Sequence, residues 1–123
     1  MTFIHRSALL LAVGLALSPL AALAEVGAVL FKTRCAACHA TKPGVKSGSG
    51  PNLAGITGRP AAAAGYPYSP ALKKSKIRWD ARSLDTWLAG PSKMVPGTRM
   101  FTAVPKPADR QAIIAYLAAQ NGK

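Results

Sequence analysis

The 123-residue sequence predicts a small all-α domain. Four segments place apolar residues at helical spacing, and none alternates apolar and polar residues as a half-buried strand does. Between the first and second of them lies TKPGVKSGSGPNLAGITGRPAAAAGYPYS, punctuated throughout by glycine, proline, serine and asparagine. A connection of about 30 residues inside a compact domain is uncommon and usually functional. Such a loop keeps its shape when it wraps something large, flat and apolar.

The elements follow in order. Residues 1–24 read as a secretory signal peptide: His5 and Arg6, an apolar run from Ala8 to Leu17, a helix-breaking Pro19, and small residues ending at Ala24, after which cleavage is expected. A bilayer span needs about 20 apolar residues, and Pro19 interrupts this run, so no stable membrane insertion is expected. Residues 25–123 then form one exported domain, expected in the periplasm. Its first helix is predicted from Val26 to Cys38, with Val29, Leu30 and Thr33 at helical spacing and Gly27 four residues before Phe31. Ser69 and Pro70 read as an N-cap with proline at the first helical position, opening a short helix toward Lys74. Asp80 caps a third helix through Leu88, where Leu84, Trp87 and Leu88 share a face, and Gly90-Pro91 stops it. The last helix runs from about Ala108 to Gln120, with Ile113, Tyr116 and Leu117 on one side and Gly122 beyond its end.

Composition narrows the function. A chain this short has little apolar surface to bury, and alanine is abundant while large apolar residues are few. Domains with that shortage usually add disulfides, a metal or a cofactor. The formal charge is +12, and its four acidic residues are Glu25, Asp80, Asp85 and Asp109. Such an excess predicts fast, salt-sensitive attraction to acidic surfaces. The export signal and the lack of interleaved aromatic and basic residues exclude nucleic acid as the partner. Lys73, Lys74, Lys76 and Arg78 read as a solvated helix end.

The two cysteines of the chain stand in CAACH, with His39 directly after Cys38. Three chemistries use two thiols at this spacing. A redox disulfide of the thioredoxin kind belongs to a βαβ pattern, which is missing. A structural zinc site needs four ligands, and beyond Cys35, Cys38 and His39 the remaining histidine is His5, inside the leader. Haem fits every position: the thiols add across its two vinyl groups, and the histidine that follows faces the iron. A haem also supplies the missing core and the object for the long loop to wrap. An electron-carrying iron needs a ligand on its opposite side as well. Met94 and Met100 are the candidates beyond the leader. Met100 is favoured, because Pro96 and Gly97 place it on a tight turn, whereas Met94 reads as an apolar filler.

CAACH, GPNLAGITGR, IRWD, PGTRMF and IIAYL together resemble class I cytochromes c of the mitochondrial and bacterial periplasmic kind, in order and in spacing over the whole of residues 25–123. The resemblance implies the small class I fold, in which N- and C-terminal helices cross and long loops wrap one covalent haem c. It makes Cys35 and Cys38 the thioether anchors, and His39 and Met100 the axial iron ligands. Pro51 matches the proline whose carbonyl accepts the proximal histidine's other N–H. Arg59, Tyr68 and Trp79 match residues around the haem propionates. Gly27, Phe31 and Tyr116 match the helix crossing. Three positions depart from the family: Trp87 stands for a tyrosine, Thr102 for an aromatic now shifted to Phe101, and Leu72 for an asparagine.

The function implied is that of a periplasmic monohaem carrier, not an enzyme, passing single electrons between redox partners. It would work as a monomer. Arg34, Lys93, Arg99 and Lys106 match positions that ring the haem edge and would dock on acidic patches of oxidases, dehydrogenases, or respiratory or photosynthetic complexes. The rival readings are a haem c subunit of a periplasmic oxidoreductase complex, and a peroxidase or gas sensor with an open iron site.

Overall fold

The computed structural model describes residues 11–121. His5, Arg6, the start of the Ala8–Leu17 run and Gly122 lie outside them. The helices are α1 (Pro19–Arg34), α2 (Pro70–Lys74), α3 (Ala81–Ala89), α4 (Pro91–Met94) and α5 (Pro107–Gln120). Among the described residues there is no strand, and one isolated antiparallel bridge joins Pro60 to Arg78.

Three caps follow from local sequence. The Ser18 hydroxyl accepts the Ala21 N–H at 3.1 Å, the Ser69 hydroxyl accepts that of Leu72 at 3.1 Å, and Asp80 Oδ1 accepts that of Ser83 at 2.8 Å. The second and third were expected; the first corrects an expectation. Pro19 opens α1 instead of breaking it, since a proline at the first helical position lacks only an N–H that would have no partner there. The helix therefore starts upstream of Val26, and the expected cleavage position after Ala24 falls within it. Its far end is also earlier than Cys38. The Phe31 carbonyl accepts both Cys35 N–H (2.8 Å) and Ala36 N–H (2.9 Å), which closes the helix at Arg34. Gly90 does end α3, but Pro91 at once begins α4.

α1 crosses α5 at Gly27. A Cβ at this position would collide with the Ala112 carbonyl and lie 2.8 Å from Tyr116 Cβ, so only glycine allows the approach. One turn on, the rings of Phe31 and Tyr116 meet with centroids 5.2 Å apart. The core continues through Ile113, Leu117, Leu84, Leu88 and Val104, all buried. Arg110 of α5, half-buried, ties three segments together: it donates to Asp85 Oδ1 at 2.8 Å and to the carbonyls of Val104 (3.0 Å) and Pro105 (2.9 Å). The long connection is held by its own ladder. Gly58 N–H donates to Trp79 O (2.6 Å), Trp79 N–H to Arg59 O (2.9 Å) and Ala61 N–H to Ile77 O (2.8 Å), which brings Arg59 beside Trp79.

Candidate functional site

A cavity of about 340 Å³ opens between the loops and the helices. Cys35, Cys38, His39, Pro51, Arg59, Tyr68, Trp79 and Met100 all line it, so the structure brings together every site residue expected from the sequence. Most of its wall is apolar, from Phe31, Leu53, Ile56, Leu72, Leu84, Leu88 and Ile113 among others, and no acidic side chain faces it.

The turn after α1 sets the first group. Cys38 and His39 both donate their N–H to the Cys35 carbonyl, at 3.0 and 2.9 Å, so CAACH closes a turn of its own. Both cysteines are free thiols, Cys35 half-buried and Cys38 exposed. Burial pushes the Cys35 thiol above its ordinary value, with Arg34 opposing the shift.

His39 is held more tightly. Its Nδ1 lies 2.7 Å from the Pro51 carbonyl, which can only accept, so Nδ1 carries the proton and Nε2 keeps its lone pair for a metal. Burial pulls the imidazole below its ordinary value and the Pro51 bond partly restores it, so the neutral form that ligation requires is favoured. Gly50 packs flat on the ring: a Cβ there would sit 2.8 Å from Nδ1 and 2.9 Å from Nε2.

Met100 approaches from the opposite segment. Thr98 N–H donates to Val95 O at 3.1 Å, and Gly97, at φ 92°, turns the chain with its backbone against Ala71. Arg99 donates to the Pro67 carbonyl at 2.5 Å, and Val104 N–H to Leu88 O at 2.7 Å, fixing the segment on both sides of Met100. Met94, at the end of α4, packs on the core but does not line the cavity. The two methionines are thus separated by position.

The third group tests whether haem fits. Arg59 donates from Nη1 to Ala54 O at 2.8 Å and from Nη2 to Asn52 O at 3.3 Å, yet its Nε is buried without a partner. A buried donor left unpaired on a cationic group is costly, and a carboxylate in the cavity would satisfy it. Tyr68 and Trp79, both buried, add an O–H and an indole N–H to the same wall. Donors for propionates, apolar walls for a macrocycle, two thiols and an imidazole are the functional groups that haem c calls for.

Several lining residues were not singled out from the sequence. Thr98 is buried yet polar, and Tyr66 anchors the wall by donating its hydroxyl to Ser49 O at 2.6 Å. Tyr66 also meets Tyr68 edge to face, 5.0 Å between centroids, and Trp87 meets Trp79 the same way at 5.3 Å. Asn52 shapes the loop behind Pro51, donating to the carbonyls of Lys42 and Val45, each at 2.8 Å. The proximity of Thr98 to Met100 in PGTRMF and the alternation in YPY were the available signals. Of the four cations expected at the haem edge, Arg34 and Arg99 line the cavity, while Lys93 and Lys106 are exposed and do not line it.

Known proteins give a consistent picture. The family model described as cytochrome c matches residues 24–121. Cytochrome c of Guizotia abyssinica is 44% identical over 100 residues, covering 80% of this chain and 90% of its own. Cytochrome c2 of Rhodoblastus acidophilus is 46% identical over 86 residues, covering 68% of this chain and 80% of its own. The solved structure of cytochrome cH from Methylobacterium extorquens superposes with a TM-score of 0.72 at 43% identity, covering 78% of this chain and 97% of that one. The chain therefore belongs to the cytochrome c family, a class I member with the CAACH sequence by which that family carries covalent haem c.

Proposed function

We propose that this protein is a periplasmic carrier of single electrons whose haem iron is held between His39 and Met100. The observation that carries the reading is the His39–Pro51 hydrogen bond: it leaves Nε2 bare inside a cavity that Met100 lines from another segment. When bound, haem supplies a ferric/ferrous couple, which His/Met ligation biases toward the ferrous state. The polypeptide does the rest. Cys35 and Cys38 would hold the ring through thioethers, Pro51 holds the imidazole in one tautomer, Arg59 would offset the propionate charge, and Tyr68 and Trp79 would donate hydrogen bonds to the propionates. His39 and Met100, each held by its own segment, would ligate the iron, and a carrier so held would need little rearrangement on gaining or losing an electron.

Residues 1–24 serve as the export leader, processed near Ala24. Among the described residues no helix is long and apolar enough to cross a membrane. The carrier acts as a monomer and meets acidic docking surfaces of oxidases, dehydrogenases or larger electron-transport complexes. A permanent subunit of an oxidoreductase complex would display a contiguous apolar face. Past residue 24, the exposed large apolar side chains are Val26, Val29, Val45 and Phe101, in three separate segments. This scatter supports the carrier over the subunit.

The test is the oxidised and reduced absorption spectrum of the exported protein, into the near-infrared. Sharp reduced bands of haem c together with the weak ferric band of an iron–methionine bond are expected, and Met100→Ala should abolish the weak band while Met94→Ala keeps it. Haem c bands without the weak one would turn the assignment toward an open-site enzyme or sensor.

A further inference from the structure

The bond at which the leader is expected to end lies inside a helix. Ala22 and Ala24 put small residues at the two positions before the Ala24–Glu25 bond that a leader peptidase reads. α1 runs through that bond without a break, from Pro19 to Arg34. The Ser18 cap starts it, and the Ala22 N–H donates to Ser18 O at 3.0 Å. A peptidase acts on backbone drawn out straight in its cleft, whereas helical backbone spends its N–H and C=O groups along its own axis. The bond must leave the helix before water can add across it.

A helix end ordinarily frays at little cost. This one is held at two places. Leu20 and Leu23, neighbours on one face of α1, line a hollow between α3 and α5 together with Ala81, Asp85, Arg110 and Ile114. Leu23 is half-buried there, although Leu20 keeps most of its surface in water. Just past the bond, Gly27 is buried at the crossing, where the Ala112 carbonyl leaves no room even for a Cβ. Straightening the residues on both sides of the bond means lifting the two leucines out of the hollow. It also unwinds about two turns, from the Ser18 cap to the edge of the crossing.

We propose that the folded domain shields its own processing site, so that the leader is removed before α1 docks on α5. This rests on the export-leader reading and adds an order of events to it. Hydrolysis comes first, one water giving a carboxylate on Ala24 and an amine on Glu25, and closure of the domain follows. The experiment uses the full chain, loaded with haem under reducing conditions so that it keeps residues 1–24, and a solubilised bacterial leader peptidase. A synthetic peptide of residues 12–30 is the unfolded substrate, and mass spectrometry reads cleavage at Ala24–Glu25 in both. The peptide should be cut after Ala24. The haem-loaded chain should be cut at least about tenfold more slowly, because an opening that breaks several backbone hydrogen bonds is populated in less than about a tenth of molecules. Leu23→Gln keeps Ala22 and Ala24 but weakens the seat in the hollow. It should raise the rate for the folded chain about fivefold, corrected for the same substitution in the peptide. A haem-loaded chain cut as fast as the peptide overturns the shielding and leaves the leader reading standing. Folded Leu23→Gln cut no faster than folded wild type also overturns it, since the hollow would then hold nothing. A peptide that is not cut after Ala24 overturns both.

Discussion

Replacing Gly27 by alanine sets two effects of opposite sign against each other. Inside a helix the change gains about 1 kcal/mol of propensity. Here the new methyl group would collide with the Ala112 carbonyl and stand 2.8 Å from Tyr116 Cβ. Both obstacles belong to α5 at its most buried stretch, where Ala112 and Ile113 are each 1% exposed, so neither can swing aside. The helices must separate instead, loosening the Phe31–Tyr116 contact and the packing around Ile113 and Leu117. Overpacking of this kind costs about 1–3 kcal/mol, and a collision with backbone belongs at or above the upper end. With the propensity gain subtracted, a net loss of about 2 kcal/mol remains. For a domain of this size that corresponds to a fall in Tm of roughly 8–16 °C. Thermal unfolding of the haem-loaded protein, followed by far-ultraviolet circular dichroism, is the assay. Gly65→Ala is the control: nothing lies within 4 Å of a Cβ there and no positive φ is required, so its Tm should hold or rise. A Gly27→Ala protein melting with or above wild type would refute the claim that the crossing needs a bare backbone.

Other outcomes follow from the same geometry. Arg110→Gln removes the bond to Asp85 and those to the Val104 and Pro105 carbonyls. Urea unfolding should show a loss of about 2 kcal/mol, the scale for hydrogen bonds to a charged group, and no change would mean the contacts are incidental. Gly50→Ala presses a methyl group onto the His39 ring and should lower the yield of haem-loaded protein, read from the ratio of haem to protein absorbance. A yield equal to wild type would show that the imidazole has room to move. The Asp80 carboxylate is held below its ordinary value of 3.8, chiefly by the Ser83 N–H and then by the Ser83 hydroxyl. Because its folded value is the lower one, its stabilising effect is complete above pH 3.8 and is lost as pH falls through the folded value. The Tm deficit of Asp80→Ala should accordingly be present at neutral pH and vanish in strong acid; a deficit independent of pH would mean the cap does not act through its charge.

The parts legible in the sequence were those built by neighbours along the chain. Ser69-Pro70 and Asp80 cap their helices because a side-chain oxygen needs to reach only three residues forward. The same locality failed at Pro19. A proline preceded by Ser18 can end an apolar run or open a helix, and the choice was made by packing further along α1, where Gly27 and Phe31 are buried against α5. At Pro91 the local signal marked an end correctly and concealed a beginning, since one proline serves as both boundary and first helical residue.

Thus the sequence by itself determined the chemistry and the elements: two thiols and an imidazole in five residues, a helical periodicity without strands, a long wrapping loop and a strongly basic surface. Each of these is a property of composition or short spacing. Tertiary structure alone decided where the Arg59 Nε is left without a partner, how Arg110 clamps the segment after Met100, and that Thr98 and Tyr66 join the wall. Those depend on contacts between residues far apart in the chain, where direction and burial are set by how the loops close on the helices, and no local pattern records them.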